Sequence, residues 1–131
     1  MPITFSIDRE RDFTLFTGTD DLTVDHFLET FASYSKAGPT RLELYDFRGV
    51  TTSRLTGEEI RTLAMVGASK NMERLPGSKT ALVASSNAEY GLSRMYQLLG
   101  EFEGVSWDIE VCRTIEEAYA WLGLSAGSES E

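Results

Sequence analysis

The chain has 131 residues, and its 21 acidic and 12 basic side chains give a formal net charge of −9 at pH 7. This length and a hydrophobic content of 41% predict one globular domain, and the scattered basic residues argue against a nucleic-acid or anionic-membrane surface. A single cysteine excludes an internal disulfide. No stretch approaches the ~20 apolar residues of a membrane span, and the N-terminus lacks a leader pattern. We therefore expect a cytoplasmic protein.

The first predicted elements are two strands. Residues 3–7 alternate apolar and polar side chains, which is the period of a strand with one buried face. A polar turn at residues 9–12 leads to a second apolar strand at residues 13–16, which we expect residues 18–21 to end. Because the connection is so short, the two strands should form an antiparallel hairpin.

The next predicted element is a helix that begins after Thr23, a typical N-cap residue. Its apolar side chains follow helical spacing and form the expected core face: Val24, Phe27, Leu28, Phe31 and Tyr34. Gly38 and Pro39 end the helix in the order typical of a C-terminus. His26 is the one histidine, and without a nearby Ser or Cys nucleophile we interpret it as a surface or half-buried residue.

The central predicted unit is an apolar strand at residues 41–47, followed by a loop at residues 49–55 and a helix that ends near residue 72. Thr56 and Glu59 have the spacing of a capping box, in which the two side chains satisfy free backbone N–H groups at the helix start. The expected core face of this helix is Ile60, Leu63, Ala64, Gly67 and Ala68. Open α/β sheets usually meet ligands and partners at such strand ends, so we expect the functional site here.

A third strand–helix pair follows. Residues 79–85 form a β-rich run, and Asn87 is expected to cap the helix after it. The apolar residues of that helix predict a core stripe: Leu92, Met95, Leu98, Leu99 and Phe102.

The last strand and helix complete the pattern. Residues 106–111 alternate cleanly, which is typical of an exposed edge strand, and Cys112 is expected to be a small buried hydrophobe. Thr114 and Glu117 form another capping box, before a helix whose inward residues should be Ile115, Ala118, Tyr119 and Leu122.

The predicted order is therefore β-β-α-β-α-β-α-β-α. It describes a single α/β domain at residues 1–123, with a mixed, mostly parallel five-stranded sheet and about four helices. Residues 124–131 have too little apolar surface to offset their ordering entropy, and we predict a disordered tail.

Three segments carry a family resemblance. The run DFRGVTTSRLTG at residues 46–57 resembles the motif of STAS domains, the family of SpoIIAA-type anti-sigma-factor antagonists. Together with AEYGLSRMYQLL and EEAYAWLG, the run YDFRGV is similar to uncharacterised bacterial SpoIIAA-like proteins, some grouped with CRAL-TRIO-type lipid-binding folds. The resemblance implies a SpoIIAA-like fold and a non-enzymatic regulatory protein-interaction module.

The same resemblance implies a phosphorylation switch. The serine that receives phosphate in the STAS antagonists falls at Thr56 here, with Ser53 as a second candidate. A phosphate on Thr56 would lie at a helix N-terminus, with Arg48 and Arg54 as its expected partners. The family's preceding Asp-Ser is replaced by Arg54 and Leu55, so the alternative reading of Thr56 is a structural cap only.

Four further residues are candidates for contact with a ligand or partner. Asp46 and Arg48 lie two apart at a strand end and either grip a ligand or pair with each other. Tyr90 and Arg94 lie one helical turn apart and either meet an anionic group or remain on the surface. No metal-ligand spacing, phosphate loop or nucleophile elbow is present, so we expect no enzyme, no metal and no cofactor.

Two functions remain open from the sequence. A protein-interaction module would bind a regulatory partner through the loop and helix start after Gly49, and an exposed apolar patch there without an internal cavity would favour it. A carrier of a small apolar or lipid-like ligand would instead have a pocket between helices and sheet, and an apolar cavity of a few hundred cubic ångströms or more would favour it. Trp107 and Trp121 either build a homodimer near the C-terminal end or pack in the core.

Overall fold

The computed structural model describes residues 2–53 and 55–124, and in that part of the chain it has five strands and four α-helices. The strands are β1 (Ile3–Asp8), β2 (Phe13–Leu22), β3 (Leu42–Ser53), β4 (Lys79–Val83) and β5 (Asp108–Cys112). The helices are α1 (Val24–Ala37), α2 (Gly57–Ser69), α3 (Asn87–Glu103) and α4 (Ile115–Leu122), and a short 3-10 helix spans Asn71–Glu73. The predicted order of elements is confirmed.

The five strands form one mixed sheet in the order β1-β2-β3-β4-β5. The β1–β2 pair is the antiparallel hairpin, and the three other pairs are parallel, as predicted. Helices α1, α2 and α3 pack on one face of the sheet, which we call the cavity face, and α4 packs on the other, which we call the α4 face. Both faces of the central strands are therefore covered by helices.

Three of the four predicted helix starts are confirmed. Thr56 caps α2, Thr114 caps α4, and the half-buried His26 accepts a hydrogen bond from the Thr23 backbone N–H at the start of α1. The predicted cap at Asn87 is wrong, because Ser86 accepts the hydrogen bond from the backbone N–H of Glu89. Asn87 is the first residue of the helix instead.

The predicted ends of β2 and β3 are also wrong. We expected residues 18–21 to end one strand and residues 49–55 to form a loop, but β2 and β3 continue side by side to Leu22 and Ser53. Two register shifts in this pair accommodate the extra length. A Cβ on Gly49 would lie 3.2 Å from the carbonyl oxygen of Gly18, so these glycines permit close backbone approach.

Helix α3 is rotated relative to the prediction. Three residues of the expected core stripe are exposed, with relative exposures of 39%, 54% and 76%: Met95, Leu98 and Phe102. The residues that α3 buries are mostly polar: Glu89, Ser93, Gln97 and Gly100. Their hydrogen bonds explain the rotation, since Gln97 donates to the backbone carbonyl of Ile109 at 2.6 Å and so faces the sheet.

The C-terminal part packs largely as predicted. β5 is an edge strand, Cys112 is buried, and α4 buries its four expected residues. Both tryptophans are half-buried: Trp107 lies under the guanidinium of Arg74, and Trp121 packs against the core of the α4 face. Of the predicted tail, Leu124 packs on the same core, and residues 125–131 lie outside the described residues.

No helix in the described ranges is both long and apolar enough to cross a membrane.

Candidate functional site

A partly open cavity of about 100 Å³ lies between the cavity face of the sheet and helices α1, α2 and α3. Strand alternation builds its floor, because every second residue of β3 points to this face. Most of its wall is apolar, and it includes Phe27, Phe31, Tyr45, Phe47, Leu63 and Leu82. Packed protein cores rarely leave a void larger than a water molecule, so a cavity of this size is a specific feature of this face.

A buried ion pair lies in the cavity wall. The Nη1 of Arg74 donates to Oε1 of Glu43 at 3.0 Å, and both side chains are 4% exposed. Thr80 donates to the same carboxylate oxygen at 2.8 Å, and the Nη2 of Arg74 donates to the carbonyl oxygen of Arg41. The Nε of Arg74 is buried without a hydrogen-bond partner in the described structure, and the guanidinium lies 4.3 Å from the centre of the Trp107 ring.

Burial dominates the electrostatics of this wall. It raises the pKa of Glu43 above its ordinary value, although Arg74 and three hydrogen bonds oppose the rise. Burial and the nearby Glu43 carboxylate raise the pKa of Tyr34 to about 12, and they raise the pKa of Tyr45 as well. The tyrosines therefore stay neutral at physiological pH.

A second polar position in the wall joins β3 to α3. The hydroxyl of Ser53 donates to Oε2 of Glu89 at 2.8 Å, and Glu89 is buried. Of the predicted site residues that the structure describes, Ser53 is the one that lines the cavity. Its hydroxyl is engaged with a carboxylate, which ties the end of β3 to the start of α3.

Asp46 and Arg48 lie in the middle of β3 and pair with each other, which is one of the two alternatives predicted from the sequence. Two nitrogens of the Arg48 guanidinium donate to the two oxygens of Asp46 at 2.9 and 2.8 Å. Burial alone would raise the pKa of Asp46, but the hydrogen bonds from Arg48 outweigh it and lower the pKa below its usual value. Asp46 shares the alternation of Leu44 and so belongs to the α4 face, away from the cavity.

The other predicted site residues do not join one cluster. Thr56 is exposed and engaged in its capping box, accepting from the Glu59 N–H at 3.1 Å. The ring of Tyr90 lies 3.9 Å below the guanidinium of Arg113, and Arg94 donates to Gln97 at 2.6 Å. Arg54 lies outside the described residues.

The ion pair between Glu43 and Arg74 was not predictable from the sequence, because the two residues are 31 positions apart. One signal was available: Glu43 alternates with Tyr45 and Phe47, which places a carboxylate on a buried face of the central strand. A buried carboxylate requires a cation, and nothing in the sequence identified Arg74 as that cation.

The polar groups of the wall are few and are held by hydrogen bonds and ion pairs. Within the described ranges, no group of three or more His, Cys, Asp or Glu residues could hold a metal ion. The cavity instead combines an apolar wall with a few fixed polar groups, which is the usual composition of a small-molecule site.

The chain matches no model of a known protein family and no curated protein sequence. Among solved structures, it is similar to an uncharacterised protein of the DUF3478 family with a SpoIIAA-like fold, from Shewanella loihica. The two chains are 16% identical, the match covers 92% of this chain and 93% of the other, and the TM-score is 0.60. The chain therefore has a SpoIIAA-like fold, as the sequence resemblance predicted.

Proposed function

We propose that this protein is a non-enzymatic carrier that holds a small, neutral, apolar molecule in the cavity beneath α1, α2 and α3. The apolar cavity of about 100 Å³ is the observation that supports it, and it is smaller than the few hundred cubic ångströms expected for a carrier of a lipid-like ligand. An engineered apolar cavity of about 150 Å³ binds benzene, whereas drug-sized ligands need roughly 300 Å³ or more. The expected ligand is therefore a single ring or a short branched chain.

The charges around the cavity favour a neutral ligand. Its lining includes three carboxylates (Glu43, Glu73 and Glu89) and two cations (Lys70 and Arg74). Arg74 is already paired with Glu43, and Lys70 lies 3.6 Å from Glu73. A carboxylate ligand would add a buried negative charge with no free cation to pair with among the described lining residues, which is costly in a site of low dielectric constant.

The interaction-module hypothesis finds less support at the place where the sequence predicted it. An exposed apolar patch was expected near the start of α2, and one large apolar side chain lies there: the sulfur of Met95, which is 39% exposed, would be 4.0 Å from a Cβ on Gly57. A single such side chain does not form a patch. The Thr56 hydroxyl already caps the helix, and Glu58 adds negative charge to the same turn. We therefore include no phosphorylation switch in the proposal.

Nuclear magnetic resonance titration of the purified protein with benzene and with benzoate tests the carrier function. The two compounds share a ring and differ in charge. We expect benzene to shift the amide signals of cavity residues and benzoate to leave them unchanged. Leu82→Phe, which adds a ring inside the cavity, should abolish the benzene shifts, and Leu15→Phe, which adds a ring on the α4 face, should preserve them.

The carrier proposal fails if benzene does not bind the wild-type protein, or if Leu82→Phe binds it as well as Leu15→Phe does. Native mass spectrometry of the protein purified from its own cells then identifies the natural ligand. An added mass that is lost on denaturation is the expected result.

A further inference from the structure

The outer face of α3 carries an apolar stripe exposed to solvent. Met95, Leu98 and Phe102 lie at positions i, i+3 and i+7, so they share one side of the helix. The opposite side of α3 faces the sheet through Ser93 and Gln97. Residues 125–131, SAGSESE, contain no large apolar side chain that could cover the stripe. The stripe is therefore uncovered in the described part of the chain, and a partner could bury it.

Two opposite charges flank the stripe. Arg94 and Glu101 are seven residues apart on the same exposed side of α3. Arg94 donates to Gln97, and neither charge has an ion-pair partner among the described residues. The nearby Glu103 is already neutralised by Arg61 at 3.1 Å. The stripe is thus locally neutral although the whole chain carries a net charge of −9.

This pattern is self-complementary. We propose that α3 packs antiparallel against α3 of a second copy of this chain, around a two-fold axis between Gln97 and Leu98. Such an axis places Arg94 of each copy opposite Glu101 of the other and forms two equivalent ion pairs. A parallel arrangement would place Arg94 and Glu101 of the two copies on opposite sides of the contact, where they could not pair. The two charges therefore favour the antiparallel dimer.

Packing supports the same register. In this arrangement Phe102 of one copy lies over the first turns of α3 in the other, where Gly91 is exposed. A Cβ on Gly91 would meet nothing within 4 Å, so the described part of the chain leaves this position uncovered. The dimer uses the outer side of α3 and leaves the cavity on its inner side, so it does not depend on the carrier function.

Sedimentation velocity of the full chain, from about 1 µM to about 1 mM, tests the dimer. We expect the wild-type protein to dimerise as concentration rises and Leu98→Glu to remain monomeric. Met72→Glu is the matched control, because Met72 is 97% exposed but lies outside α3. That variant should dimerise like the wild type.

A charge exchange tests the register. Arg94→Glu and Glu101→Arg should each weaken the dimer by at least about tenfold, because each places like charges in contact. The double variant Arg94→Glu/Glu101→Arg should restore it. A wild-type protein that stays monomeric at every concentration, a dimer that Met72→Glu weakens as much as Leu98→Glu, or a double variant that stays monomeric would each overturn the proposal.

Discussion

The two faces of the sheet are built from the same strands but packed in different ways. On the α4 face, Leu44, Val83 and Ala118 are fully buried and form a continuous apolar core. On the cavity face, the neighbour of Leu44 in the strand is Glu43, and a cavity remains beside it. One strand therefore supplies a dense structural layer on one side and a polar, partly open layer on the other.

We interpret this difference as a division between a face that stabilises the fold and a face that carries the candidate site. Close packing on the α4 face supplies stability, since the fully buried side chains there have neighbours on all sides. The cavity face gives up part of those contacts and buries an ion pair that a purely structural core would not need. We interpret the cavity face as the functional one. Three measurements test the contrast between the two faces.

Removal of one member of the buried ion pair should give the largest effect. Arg74→Met leaves the Glu43 carboxylate buried without a cation, and we expect it to lower the free energy of unfolding by about 3–5 kcal/mol. Chemical denaturation measures the change. The double variant Glu43→Met/Arg74→Met is the control, because it removes both charges and should recover most of the loss. A loss below about 1 kcal/mol for Arg74→Met would contradict the buried pair.

A matched pair of truncations compares the two faces directly. Leu44→Ala should cost about 4 kcal/mol, because Leu44 is fully buried among close neighbours. Leu82→Ala should cost about 2 kcal/mol, because Leu82 already borders the cavity and has fewer contacts to lose. Denaturation of both variants in the same buffer gives the difference. Equal costs would show that the cavity face is as tightly packed as the other.

Local signals in the sequence predicted most of the fold. The hairpin, the order of the elements and the caps at Thr56 and Thr114 depend on residues within a few positions of each other. The full length of β3 was not predictable in this way, because Gly49 has the local signature of a turn. Only its close approach to the backbone of Gly18 in β2 explains why the strand continues.

The candidate site was less accessible to sequence reasoning. Ser53 was predicted and lines the cavity, whereas Glu43 and Arg74 were missed because their pairing is a tertiary contact. The prediction of which side of α3 faces the sheet was wrong for the same reason. Its polar side is buried by hydrogen bonds to other elements, such as the one from Ser53 to Glu89, and the sequence of the helix alone does not contain those partners.

Substitutions at two neighbouring residues of α3 test which side of the helix faces the sheet. They have the smallest expected effect of the three measurements. Leu98 is 54% exposed, so Leu98→Gln should change the free energy of unfolding by less than about 0.5 kcal/mol at protein concentrations low enough to keep the chain monomeric. Gln97→Ala should cost about 1–3 kcal/mol, because it removes the hydrogen bond to the Ile109 carbonyl. The opposite ranking would mean that the apolar side of α3 faces the sheet. In that case the stripe would belong to the core. Glu89 would then not lie in the cavity wall, and the proposed dimer surface would not be exposed.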